Sequence, residues 1–157
     1  MKKRLVTLLL ATLMCVTGMM SWKLETKAQT TEEDIALSEL ITEDALLGYS
    51  QNQTWGVYYS DGYSIINKIS STKAGTGGVT NANVKCKVSV QAILERKNSA
   101  GQWERVTSWL QTNENAYSAM ISKSVVVASG YYYRTRCYHY AGTDSSSSYT
   151  GGVWIGN

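Results

Sequence analysis

Alternation at a period of two constrains this chain more than any other feature. Between Gly130 and Gly142 it places Tyr131, Tyr133, Thr135, Cys137 and His139 on one side, and Tyr132, Arg134, Arg136, Tyr138 and Tyr140 on the other. Aromatic and β-branched residues in this order form a strand with one buried face. Residues 84–94 repeat the pattern, with Val84, Cys86, Val88, Val90, Ala92 and Leu94 in phase, and residues 117–127 repeat it again. A chain with three such segments is expected to be all-β.

The intervening stretches read as turns and further strands. Residues 54–60 and 63–69 flank Asp61-Gly62, a hairpin signal. The Gly/Ser/Thr-rich stretch 70–83 suggests loop with a short edge strand. Asn98 to Gln102 is a turn before residues 103–110, 111–115 read as a loop, and 143–148 as a polar loop before 149–155. About seven strands with polar turns predict a two-sheet sandwich over residues 48–157. Phenylalanine and proline are both absent, so Tyr and Trp must supply the aromatic packing.

The N-terminus points to export. Lys2-Lys3-Arg4 precedes an apolar run over residues 5–20, and Thr26-Lys27-Ala28 offers small residues at a cleavage site, so residues 1–28 read as a signal peptide. A cut after Gly18 is the alternative. The run is shorter than the roughly 20 apolar residues of a membrane span. Cys15 lacks the preceding small residue of a lipid-anchoring signal. A secreted or cell-surface protein is expected, with no membrane attachment after cleavage.

Removing the leader changes the charge. The whole chain carries +3, but from Gln29 onward ten Lys/Arg face eleven Asp/Glu, which argues against nucleic acid as a partner. Residues 29–47 hold six acids and no base, with apolar residues at loosely helical spacing. They form an acidic arm with helical character ahead of a mildly basic body. Cys86 and Cys137, the two cysteines outside the leader, are expected to pair in an oxidising compartment, closing a loop of about 50 residues at roughly 3–4 kcal/mol. The alternative is two buried thiols.

From Val84 onward the chain resembles fibronectin-type-III and immunoglobulin-like domains. The resemblance rests on the Gly101-Gln-Trp103 hairpin, a strand ending at a glycine corner, and Tyr-x-Tyr-Arg-x-Arg-x-x-His-x-Ala-Gly over residues 131–142. It implies that Tyr131 is a corner tyrosine and that Cys86 and Cys137 lie on neighbouring strands of one sheet. The usual prolines, and the inward Trp before the hairpin, are missing.

A second resemblance spans nearly the whole body. Gly48-Tyr-Ser50, Trp55-Gly-Val-Tyr58, Asp61-Gly62, Ile69-Ser-Ser-Thr-Lys73, Trp103-Glu-Arg-Val106, Gly130-Tyr-Tyr-Tyr-Arg134, His139 and the terminal Gly-Gly-Val-Trp-Ile carry it. They look like a family of small exported proteins of Gram-positive, mainly clostridial, bacteria, defined by a domain of unknown function. The resemblance implies a secreted or surface location and supplies no catalytic residues.

Catalysis needs convergent groups of matched pKa. The single histidine, His139, falls on the inward phase, and Asp61, Glu95, Glu104, Glu114 and Asp144 are scattered over turns and strand ends. No nucleophile elbow, phosphate loop or metal-ligand run is present, and Asp144 with its four serines reads as a flexible loop. We expect no enzyme, no cofactor and no metal.

The outward row is the candidate site: Tyr132, Arg134, Arg136, Tyr138 and Tyr140, with Lys85, Lys87 and Gln91 expected on one neighbour and Trp154 on the other. Rings stack on apolar sugar faces, and arginine forks bind carboxylate or phosphate. A cell-wall glycan or a surface protein fits as partner. The competing expectation is a solvated face stabilised by its own cross-strand and cation–π contacts, with Trp55, Trp103 and Trp109 as packing residues. A small toxin or bacteriocin, and a structural or adhesion domain, are the other functional classes.

Overall fold

Period-two segments become strands, and several polar stretches read as loops are strands as well. The computed structural model describes residues 31–50 and 56–157. The signal-peptide segment and Trp55 lie outside the described residues. The order is β1 (Glu32–Asp34), α1 (Leu37–Leu40), β2 (Leu46–Tyr49), β3 (Tyr59–Ser70), β4 (Lys73–Lys97), β5 (Trp103–Val126), β6 (Tyr131–Ala141), β7 (Asp144–Tyr149) and β8 (Val153–Ile155). The protein is all-β. The eight strands among the described residues form one antiparallel sheet rather than the two separate sheets expected.

The long β4–β5 ribbon explains that difference. Its first half, from Lys73 to Asn81, pairs with β3 on its other edge, and its second half, Val88 to Arg96, pairs with β6 on that edge. Between them the register slips around Cys86, where Asn115 adopts φ 49°. An extra residue there forms a bulge, which bends a strand and raises its twist. The stretch expected to be a loop at 111–115 is therefore a bend inside one strand.

Bending brings the two halves face to face. Thr76 Oγ1 on β4 lies 2.6 Å from Thr135 Oγ1 on β6. Two apolar clusters fill the interior, one around Val88, Val90, Ile121 and Cys137, the other around Ile66, Leu94, Val125, Tyr133 and Ile155. Neither half of the ribbon could bury its face alone, so the bend and the core form together.

Two glycine positions show why local sequence misled. Asp61-Gly62 makes no hairpin but lies within β3. A Cβ on Gly62 would sit 2.7 Å from both the His139 Nδ1 and the Tyr59 hydroxyl, so this glycine serves close approach and not a turn. In the stretch read as loop, Gly78 similarly makes room for the Cys137 sulfur inside β4.

Over its described residues, 31–47, the acidic arm is not one helix. It has a short strand, β1, on the β5 edge, a single helical turn and then β2. Its acids meet cations of the body: Asp34 lies 2.7 Å from Lys123 and Glu33 3.8 Å from Lys73. Leu40 is fully buried and its carbonyl accepts a hydrogen bond from Asn67 Nδ2 at 3.0 Å.

The expected disulfide does not form, and both cysteines are free. Cys137 stands opposite Ala92, six residues along β4 from Cys86. That is on the order of 15–20 Å of strand, against a bridgeable Cα separation of at most about 7 Å. Strand phase put both side chains inward, but register keeps them apart.

Candidate ligand-binding face

From Tyr132 onward β6 keeps the alternation read from its sequence, but Tyr131, expected inward, is exposed where the strand begins. Tyr133, Thr135, Cys137, His139 and Ala141 are buried, while Tyr132 and Tyr140 are exposed and Arg134, Arg136 and Tyr138 are half-buried. Its neighbours are β4 on one side and β7 and β8 on the other. Tyr132 stands opposite Trp154, Tyr138 opposite Gln91 and Ser147, and Tyr140 opposite Ser89 and Ser145. Lys85 and Lys87 do not join this row, because the β4–β6 pairing ends at Val88. Lys87 pairs instead with Glu114 at 2.8 Å, and Lys85 lies over the Tyr117 ring.

The centre of the face is an ion cluster built on Glu95, a buried residue on β4 opposite Arg134. Arg134 Nε donates to Glu95 Oε2 at 2.6 Å, and Arg136 Nε lies 3.5 Å from the other oxygen. The Arg134 guanidinium carbon lies 4.5 Å from the centre of the Trp103 ring and 5.3 Å from that of Tyr149. Such a group is pinned on every side, so Arg134 organises the face. The competing expectation of a self-stabilised sheet face describes Arg134 well, and Trp103 packs as expected.

Toward β8 the rings are free. Tyr132 and Trp154 meet edge to face at 5.2 Å and are 48% and 42% exposed. They border a shallow cleft of about 270 Å³, closed by Tyr131, Gly130 and the Lys97-Asn98-Ser99 turn. Asn98 fixes that turn, its side-chain oxygen accepting the Gln102 N–H at 2.9 Å. Gly101 supplies the left-handed φ of 79° that the turn requires. Aromatic walls beside fixed polar groups suit a ligand with flat apolar and hydroxylated edges.

A family profile matches residues 39–152 and is described as a family of unknown function, DUF6147. The chain belongs to DUF6147. No curated protein and no solved structure matches it. The matched segment of DUF6147 includes β6 and β7 complete, and ends just before β8. It therefore holds the Glu95 cluster and Tyr132 but leaves Trp154 outside.

The inward half of β6 contributes packing to the DUF6147 fold. His139 is fully buried, with Nδ1 2.8 Å from Thr80 Oγ1 and Nε2 2.8 Å from Ser148 Oγ. One ring nitrogen donates and the other accepts, so the imidazole is satisfied while neutral. Burial lowers its pKa from 6.5 to about 4, against a weaker opposing pull from Asp61. Burial likewise pushes the Cys137 thiol up, which keeps it protonated and unreactive. The Tyr133 hydroxyl donates to the Ala128 carbonyl at 2.8 Å, while Tyr131 lies under Arg96.

Asp144 opens β7 rather than a flexible loop, and its carboxylate accepts the N–H groups of Tyr58 and Tyr59 at 2.8 and 3.0 Å. Among the described residues, no three His, Cys, Asp or Glu side chains converge as metal ligands. Sequence reasoning missed Glu95, Tyr149 and the 97–99 turn as parts of the face. A cross-strand charge pair between residues 95 and 134 was the available signal, but it needs a register that the sequence does not provide.

Proposed function

We propose that this chain is a secreted or cell-surface, non-enzymatic binding module whose ligand is a cell-envelope glycan held on the outer face of β6. The observation that carries the reading is a set of exposed rings: Tyr149 beside the pinned Arg134, and Tyr132 with Trp154 along an aromatic-walled cleft. Exposed aromatics on a rigid sheet lose little entropy on stacking, which favours sugar recognition. Export rests on the leader-like N-terminus, and the clostridial origin on the sequence resemblance alone. A protein ligand on the same face is compatible with these groups.

The test is retention of purified protein on isolated bacterial cell walls, read with a glycan array. Replacing Tyr132 and Trp154 together by alanine should weaken binding at least tenfold, since each ring contributes about 1 kcal/mol. Unchanged retention would remove the outer face as the site.

Self-association is a second reading with its own observation. β1 covers β5 only at Lys123–Val125, leaving the edge from Trp103 to Ile121 without a strand partner among the described residues. Leu110, Tyr117 and Met120 are more than half exposed along it. Open edges add strands. Sedimentation that depends on concentration, with no wall retention, would favour this adhesive role.

A further inference from the structure

We propose that Arg136 is the anion-recognising residue of the outer face, and that the ligand is a saccharide bearing carboxylate or phosphate groups. The inference deepens the glycan-binding reading and depends on it. It starts from a charge mismatch: two guanidinium groups share one buried carboxylate. Arg134 takes the short contact to Glu95 and is enclosed by Trp103 and Tyr149. Arg136 is left with a 3.5 Å approach to Oε1, too long for a good hydrogen bond.

Among the described residues, no other carboxylate pairs with Arg136. Its Nε is buried without a hydrogen-bond partner, and the side chain makes no hydrogen bond among the described residues. The other carboxylates of residues 56–157 are engaged elsewhere. Glu104 holds Arg96, Glu114 holds Lys87, Asp144 accepts two backbone N–H groups, and Asp61 accepts from Asn81. Glu95 therefore anchors the stem of Arg136, while 36% of the side chain stays open to solvent.

Position matters as much as charge. Arg136 stands opposite Tyr149, a residue 52% exposed, and in the outer row between Arg134 and Tyr138. A guanidinium fork beside an exposed ring matches a sugar that offers an apolar face and an acidic substituent together. A neutral sugar would leave the fork without its charge-assisted bonds, so the anionic member of any matched pair is preferred.

The experiment uses two matched pairs of probes with the intact protein. One pair is oligogalacturonate and its methyl ester; the other is a phosphomannan and the same mannan after dephosphorylation. Affinities are measured by calorimetry for the wild type, Arg136→Gln and Arg136→Lys. The wild type should prefer the anionic member of at least one pair by about tenfold or more, the scale of a charge-assisted hydrogen bond. The pair that discriminates tells carboxylate from phosphate. Arg136→Gln should abolish the preference, and Arg136→Lys should keep only part of it.

Equal affinity within both pairs, or a preference that survives Arg136→Gln, overturns the assignment. In the first case, binding of the neutral members that is lost on replacing Tyr132 and Trp154 leaves the glycan reading standing. Failure of all four probes to bind at millimolar concentration overturns the anionic assignment; the glycan reading falls with it only if retention on isolated cell walls is absent as well. Should Arg136→Gln fold poorly, the wild type titrated with inorganic phosphate or acetate gives an independent answer. The Arg136 side-chain N–H resonance should shift and that of Arg134 should not. The reverse pattern would contradict the proposal.

Discussion

Tyr133, Thr135, Cys137 and His139 on the inner side of β6 are at most 1% exposed, whereas Tyr132, Arg134, Arg136, Tyr138 and Tyr140 alternate with them on the outer side. Both sides draw on tyrosine and on polar groups, yet they solve different problems. On the inner side of β6, Thr135 meets Thr76, His139 meets Thr80 and Ser148, and Tyr133 reaches Ala128. Outside, one arginine is fully engaged and the next is not. The inner side of β6 is satisfied within the fold, whereas the outer side leaves Arg136 with only a long contact to Glu95.

The sharpest way to break this comparison is to truncate one tyrosine on each side. Tyr133→Ala empties a fully buried site and should cost about 4 kcal/mol in urea unfolding. Tyr132→Ala loses one edge-to-face contact and should cost under about 1 kcal/mol. Equal costs would mean that the two faces are not functionally divided. The arginines should differ in the same sense. Arg134→Ala leaves Glu95 buried with only the distant Arg136, at roughly 3 kcal/mol, while Arg136→Gln should change stability by less than about 1 kcal/mol.

Acid offers a third contrast, through the buried imidazole of the inner face. Its folded pKa near 4 lies below the ordinary 6.5, so the unfolded chain binds the proton more readily. Stability from the neutral imidazole is therefore complete above pH 6.5, falls as pH drops through the window to about 4, and changes no further below it. The loss should approach roughly 3 kcal/mol, and His139→Gln should flatten that part of the profile. The smallest effect concerns the cysteines: reductant should leave the melting temperature unchanged. A drop would require a bridge that the β4–β6 register forbids.

Much of this was legible in the sequence, for identifiable reasons. Side-chain phase along β6 follows from alternation alone, and His139 was placed inward on that basis. What alternation cannot supply is register. The disulfide, the Glu95 cluster and the absence of Lys85 and Lys87 from the face all turn on which β4 residue stands opposite which β6 residue. Glycine was the other blind spot. Gly62 and Gly78 look like turn residues in a one-dimensional reading, but they serve close packing across the bent sheet, which only tertiary contacts reveal. The arm was misread because its acids fit a helical first turn, whereas Lys123 and Lys73 on the body draw it into a strand.

The central claim is that ligand meets the protein on the outer face of β6. Tryptophan indole resonances test it most directly. Trp154 and Trp103 lie on that face, while the Trp109 indole donates to Glu32 on the acidic arm at 2.8 Å. Titration with soluble cell-wall fragments should shift the Trp154 indole signal most, Trp103 less, and Trp109 not at all. A shift confined to Trp109, with Trp154 unmoved, would place the ligand at the β5 edge and contradict the account.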